Sequence, residues 1–295
     1  MYKHKGEQTY IMKKKRRKHG FIFTIGFLFV VLFCMSSFAG VKLAEYNNTT
    51  GNKEIAASKD DPVKAQGKQN NNKSGQSNVV KNTDLPKLSP NAKIAYLTFD
   101  DGPSANNTPK ILDILKENNI KATFFVIGSM VKQNPEMLKR EKAEGHTIGN
   151  HTYSHDYGYL YSSQDNFLND LKKNEDTISS VIGDYDKKLI RFPGGSFNRL
   201  SYQMAAENSG YKYIDWNEET GDGEYQYPQV DVLVNNFKKY DVGQKRMVIL
   251  MHDASTKQAT VEALPIVIKI LKNQGYQFRP ITTDDYEVMK KLFNN

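Results

Sequence analysis

From residue 93 onward the chain alternates short apolar runs with longer amphipathic segments. The apolar runs predict strands over 94–99, 122–127, 147–149, 189–192, 211–216 and 247–251, with a last short one near 277–280. The segments between them predict helices over 109–118, 135–144, 163–182, 199–209, 230–239 and 261–273. In the first of these, Ile111, Leu112 and Leu115 fall at helical spacing. Strands alternating with helices predict a parallel sheet with helices outside. About seven such units in roughly 200 residues point to one closed or nearly closed (β/α) barrel. Barrels of this kind place their reactive groups at the C-terminal ends of strands. Asp100, Asp101, Arg191, Asp215, Trp216 and His252 all fall at or just past such an end.

Upstream the pattern changes twice. Lys13, Lys14, Lys15, Arg16, Arg17 and Lys18 precede a run over 21–41 that carries no charge. About 20 apolar residues suffice for a bilayer-spanning helix. A basic flank keeps its own side cytoplasmic, so residues 1–20 read as a cytoplasmic tail and everything downstream as exported. This predicts a single-pass membrane protein with an extracellular domain. Ser37-Phe38-Ala39 keeps a cleaved signal peptide, and hence secretion, open as the alternative. Residues 42–92 are rich in Asn, Lys, Ser, Gly, Gln and Asp and nearly free of aromatics. Such a segment cannot bury enough apolar surface to offset its ordering entropy, so it is expected to be a flexible spacer.

Charge then has to be mapped before it is interpreted. The net charge is +8, which taken alone suggests a nucleic-acid partner. Residues 1–20 hold eight Lys and Arg and one acid, whereas residues 93–295 hold 25 Lys and Arg against 27 Asp and Glu, a net of −2. The domain has no global electrostatic footprint for nucleic acid. The single cysteine, Cys34, lies in the apolar run behind Phe33 and reads as a plain apolar residue. The domain therefore offers no thiol for a disulfide or a metal.

The chemistry starts at Thr98-Phe99-Asp100-Asp101-Gly102-Pro103. Neighbouring side chains on a strand point to opposite faces, so the two acids are suited to different tasks. One can hold a metal and the other can handle a proton. The domain has four histidines, His146, His151, His155 and His252. His151 and His155, at i and i+4, would share one face of a helical turn and reach one metal. With a carboxylate from the doublet they make a His-His-Asp set that leaves an open position for water. His252 ends an apolar strand and suits a general acid, or simply a satisfied core histidine. Asp253 is expected to cap the following helix. Arg191-Phe192-Pro193-Gly194-Gly195-Ser196-Phe197-Asn198 ends another strand in a sharp turn. Its backbone N–H groups could bind an oxyanion, or it could be an ordinary strand–helix turn with Asn198 as cap. Arg191 on a buried strand needs a carboxylate partner, either the catalytic Asp or Asp222.

These residues carry a resemblance. Thr98–Pro103, His151-Thr152-Tyr153-Ser154-His155, Arg191–Gly195, the Trp216 to Asp222 stretch and Leu250-Met251-His252 occur in the order found in polysaccharide deacetylases of the NodB-homology group. The chain over about 93–285 resembles these metal-dependent carbohydrate esterases of family four. The resemblance implies a distorted (β/α) barrel and hydrolysis of an N-acetyl group on an amino sugar. It implies Asp100 as general base, His252 as general acid, and Asp101, His151 and His155 as ligands of one divalent ion, zinc foremost, with cobalt or another ion as alternatives. Arg191 and Asp222 would position base and acid, and Pro193, Gly194, Gly195, Trp216 and Leu250 would line the substrate pocket. The chain departs from the pattern twice: Gly194 stands where the family commonly has Tyr, and Gly223 where Trp often follows the Asp. Both departures bear on substrate binding rather than on the proton chemistry.

An anchored domain on a spacer sits beside a wall, which favours peptidoglycan as substrate over chitin-type oligosaccharides. The domain is expected to act as a monomer. Three other readings stay open. A wall-binding protein with this fold and little activity would fit the two departures. A ferrous oxygenase shares the two-His-one-carboxylate set, but leaves Asp100 and His252 without a role. A glycosidase needs two acids flanking the scissile bond, about 5–10 Å apart, which adjacent strand positions do not readily arrange.

Overall fold

The computed structural model describes residues 92–240 and 243–294. The expected tail, apolar run and spacer over 1–91 lie outside the described residues. Among the described residues no helix is long and apolar enough to cross a membrane.

Among the described residues, eight strands form one sheet in which every pairing is parallel. In chain order they are β1 (Lys93–Asp100), β2 (Thr123–Val126), β3 (Thr147–Asn150), β4 (Leu189–Ile190), β5 (Lys212–Tyr213), β6 (Glu218–Glu219), β7 (Arg246–His252) and β8 (Tyr276–Phe278). The spatial order is β5-β4-β3-β2-β1-β7-β6. Strand β7 pairs with β1 from Ile94 to Asp100, while β8 and β2 take its opposite edge at the start and end of the strand. Among the described residues, nine helices connect and cover the sheet: α1 (Thr108–Glu117), α2 (Gly128–Gln133), α3 (Pro135–Ala143), α4 (Tyr157–Leu160), α5 (Gln164–Ile182), α6 (Leu200–Asn208), α7 (Val230–Tyr240), α8 (Gln258–Asn273) and α9 (Tyr286–Asn294).

Local chemistry accounts for the main boundaries. Pro109 sits in the first turn of α1, where its missing N–H costs nothing. Ser163 caps α5 by accepting from Asn166 N–H, and Gly183, at φ 72°, ends that helix. Strand β1 is buried at almost every position because a central parallel strand is covered on both faces. Its alternation sorts the core. Ala95, Leu97 and Phe99 pack under the helices with Ile111, Leu115 and Val267. Ile94 and Tyr96 pack on the other face with Phe125 and Val248. Thr98 and Asp100 continue that second face toward the C-terminal end of the strand.

The barrel does not close. The strand path ends at β5 and β6, and among the described residues these two share no ladder. The result is an open, parallel half-barrel. The runs at 189–192 and 211–216 are apolar, yet only two residues of each pair as strand, since the chain then turns inward to deliver Arg191 and Asp215. Strand β6 is two glutamates and leaves no apolar signal. Helices α2, α4 and α9 were likewise not anticipated. The first two are a few residues long, too short to show a period.

Candidate active site

The β1–β7 register sets Asp100 directly beside His252, and Thr98 beside Leu250. All four lie on the same face of the sheet. Arg191, fully buried just after β4, crosses to them. Its Nη1 donates to Asp100 Oδ1 at 2.9 Å and to Thr98 Oγ1 at 2.7 Å. Its Nε and Nη2 donate to the carbonyls of Ile214 and Asp215, and its plane lies 4.2 Å over the ring of Phe125. The buried guanidinium is thereby satisfied and holds one oxygen of Asp100 in place. Burial pushes the Asp100 carboxyl above its ordinary value, and the charge of Arg191 offsets part of that push.

Asp222 belongs to the other side. Its partner is His252, not Arg191. The carboxylate accepts from His252 N–H at 2.7 Å and faces its Nδ1 at 2.8 Å, with Thr260 Oγ1 donating to it at 2.7 Å. Burial works against charge on His252, but the Asp222 carboxylate, its hydrogen bond and the charges of Asp101 and Asp100 outweigh it and push the imidazole up to about 10. Asp222 is held below its ordinary value, its burial outweighed by His252 and Thr260. Buried Lys257 clamps this turn by donating to the carbonyls of Asp222 and Tyr225. Gly223 has a steric reason: a Cβ there would lie 2.8 Å from His252 Cε1.

Asp101 leaves the strand in the left-handed region, at φ 74°. That turn carries its Oδ1 to 3.5 Å from His151 Nε2 and 3.2 Å from His155 Nε2. One ligand atom from each of the three lies within 4.8 Å of the others. The two histidines are not on a helical turn, contrary to the expectation from their spacing. Residues 151–156 form a loop in which Thr152 and His155 take φ of 67° and 54°. Asn174 holds that loop by donating to the carbonyls of Val126 and Thr152 and to Asn150 Oδ1. Asp170 Oδ1 accepts from the N–H groups of Tyr153 and Ser154. Sequence reasoning missed Asn150, Asp170 and Asn174. The available signal was two polar residues four apart on the buried face of α5, among Phe167, Leu171 and Ile178.

These three side chains fit a metal. Asp101 Oδ1 is buried and accepts no hydrogen bond. His151 Nδ1 faces the Arg191 carbonyl at 2.9 Å, which makes it the protonated nitrogen and leaves the Nε2 lone pair toward Asp101. Burial, joined by the charge of His155, lowers His151 to about 3, against the pull of Asp101, so the imidazole is neutral as a ligand must be. A buried carboxylate oxygen that accepts no hydrogen bond and faces two imidazole nitrogens suits a cation.

The expected cap Asp253 and the alternative cap Asn198 are both placed otherwise. Asp253 does not cap α8, whose N-cap position is Lys257. It is buried, accepts from Thr108 Oγ1 at 2.5 Å, and packs against Gly102, where a Cβ would overlap its carboxylate. Burial pushes it up to about 7, with the Thr108 bond opposing. Asn198, at φ 61°, precedes the N-cap residue Arg199 of α6. In the 193–196 turn, Gly195 N–H donates to the Phe192 carbonyl and Ser196 N–H to Asp215 Oδ1. Unlike these two, the Gly194 N–H makes no hydrogen bond among the described residues. Trp216 donates Nε1 to Glu219 and meets Phe197 edge-on beside Gly195. Leu250 sits almost buried two residues before His252, and Pro193 accepts from Tyr161 OH through its carbonyl.

The chain is similar to known proteins. Residues 87–214 match the family described as polysaccharide deacetylase. A peptidoglycan-N-acetylglucosamine deacetylase of Bacillus cereus is 38% identical over 197 residues, which cover 63% of this chain and 68% of that one. A protein of the same description from Listeria monocytogenes is 38% identical over 207 residues, 70% of this chain. The chain spans only 41% of that relative's length. Among solved structures, a polysaccharide deacetylase from Bacillus cereus superposes with a TM-score of 0.59 at 36% identity, covering 65% of this chain and 93% of that one.

Proposed function

The chain belongs to the polysaccharide deacetylase family, hydrolases that remove N-acetyl groups, and from that premise we propose that it deacetylates amino sugars of a cell-wall polysaccharide, peptidoglycan foremost. The observation that carries the reading is the meeting of two constellations. Asp101, His151 and His155 converge within 4.8 Å, and Asp100 and His252 stand in register beside them. The relatives' descriptions support the substrate.

Asp101, His151 and His155 would hold a divalent ion, zinc foremost and cobalt as an alternative, which would supply acidification of a water and polarisation of the acyl carbonyl. Asp100 takes the proton of the attacking water at the oxygen that Arg191 leaves free. The Gly194 N–H faces the developing oxyanion. His252, kept charged by Asp222, gives its Nε2 proton to the leaving nitrogen. The C–N bond breaks, a C–O bond forms, and a free amine and acetate result. Trp216 and Leu250 provide apolar surface for the acetyl methyl.

The proposal extends to location. The uncharged run over 21–41 behind six basic residues anchors the chain, residues 42–92 act as spacer, and the domain from 93 onward works outside the membrane. Signal-peptide cleavage would instead release it.

The test incubates the full-length chain, loaded with zinc or cobalt, with peptidoglycan and with chitin oligomers. Loss of one acetyl group per event from peptidoglycan glycans, located by fragmentation mass spectrometry, is expected. Loss from chitin oligomers alone overturns the substrate. No loss from any substrate with any metal overturns the enzyme and leaves a wall-binding protein.

A further inference from the structure

Gly194 opens a gap that another residue fills. A Cβ built at Gly194 would lie 2.9 Å from Tyr157 Cε1 and 3.0 Å from its hydroxyl. The ring of Tyr157 therefore occupies the space that a side chain at 194 would take. It reaches there from a different part of the chain, the first residue of α4, two positions after His155. Its ring meets the His155 ring edge-on, with centroids 5.3 Å apart and planes at 82°. Despite these contacts it is 46% exposed.

The turn that carries Tyr157 is firmly seated. The Asp156 side chain accepts from Tyr159 N–H, and Leu160 is fully buried. Tyr161 stands behind Tyr157 at 6.0 Å, donates its hydroxyl to the Pro193 carbonyl and packs edge-on to Tyr202. Tyr157 is thus the outermost ring of an aromatic stack tied to the Pro193-Gly194-Gly195 turn. Across that turn, a Cβ at Gly195 would meet Phe197 at 2.6 Å and Trp216 at 3.0 Å. Aromatic rings flank the two glycines on both sides, and one of them, Tyr157, also meets the metal-ligand candidate His155.

We propose that Tyr157 is a specificity-determining residue, the aromatic platform on which the pyranose ring of the substrate stacks as its acetamido group enters the site. A pyranose presents a face of C–H groups. An exposed, rigid aromatic ring offers that face apolar area at little entropic cost. The inference rests on the deacetylase reading and names the surface that binds the sugar.

The experiment separates the two. In Asp100→Asn protein with metal bound, binding of a soluble oligomeric glycan fragment of peptidoglycan is measured by calorimetry, with Tyr157 intact, as Tyr157→Ala and as Tyr157→Phe. In the active protein KM and kcat are measured for the same three side chains. Tyr157→Ala should weaken binding and raise KM by about tenfold, with kcat within about threefold and metal content unchanged. Tyr157→Phe should restore binding and KM. Unchanged KM and affinity in Tyr157→Ala would overturn the platform, as would loss of metal, which would make the ring a prop for His155. Oligomer binding that is absent even with Tyr157 intact would overturn the deacetylase reading itself.

Discussion

Asp100 and His252 meet because β1 and β7 run side by side, with a ladder that pairs them directly. Asp101, His151 and His155 meet because three residues leave ordinary backbone space: Asp101, Thr152 and His155, at φ of 74°, 67° and 54°. The first half of the site inherits its geometry from the sheet. The second is held by loops, each left-handed residue costing about 1–2 kcal/mol. Side chains of α5 and β3 offset that cost: Asn174, Asp170 and Asn150 satisfy the backbone of 152–154. The strand-built pair can therefore be altered without moving its neighbours, whereas the metal corner depends on residues that never touch the metal.

The largest effect expected is a clean split between the halves. Asp100→Asn should lower kcat about a thousandfold while metal stoichiometry, measured by mass spectrometry of the protein solution, stays that of the parent. His155→Ala should lose both. Metal loss in Asp100→Asn would show that the halves are not separable.

A smaller effect should come from the loop's support. Asn174→Ala should weaken metal binding about 10- to 100-fold in chelator competition and cost about 1–3 kcal/mol in urea unfolding. The alkaline limb set by His252 should not move. A metal affinity equal to that of the parent would mean that the loop holds its shape without Asn174.

The subtlest effect lies in the strand half alone. His252 is pushed up to about 10, so its acidic form is present below that pH and is lost as pH rises through it. Asp222→Asn removes the charge that raises it, and the alkaline limb of kcat/KM should move to lower pH. Stability follows the same sign. The raised imidazole contributes fully below its unfolded value of about 6.5, and that contribution fades as pH rises toward 10. Asp222, held low, contributes above its unfolded value of about 3.9 and less as pH falls below it. An alkaline limb that stays put in Asp222→Asn would assign it to another group.

Much of the strand half was legible beforehand. Alternating apolar runs place Asp100 and His252 at strand ends, and parallel order follows from the intervening helices. The partner of Arg191 was not legible, because Asp100 and Asp222 are equally acidic in sequence. Only the fold sends Arg191 to one and His252 to the other. The metal corner was half legible. Residue types and spacing name Asp101, His151 and His155, but i and i+4 describes a helix and a compact loop equally well. Left-handed backbone at Thr152 leaves no mark on composition. Asp253 read as a helix cap because local rules favour it, yet burial against Gly102 and Thr108 took it elsewhere. Tyr157 carried no signal, since its role exists only where Gly194 leaves room.

By itself, then, the sequence determined the layered α/β class, the strand-end acids and histidines, and the family to which they point. Those depend on periodicity and residue chemistry, which are local. The tertiary structure decided that the sheet stays open between β5 and β6, which carboxylate pairs with which cation, and that Tyr157 stands in the space beside Gly194. Each of these is a contact between segments far apart in the chain or on separate loops. Burial and hydrogen-bond satisfaction settle such contacts only once the whole core has formed.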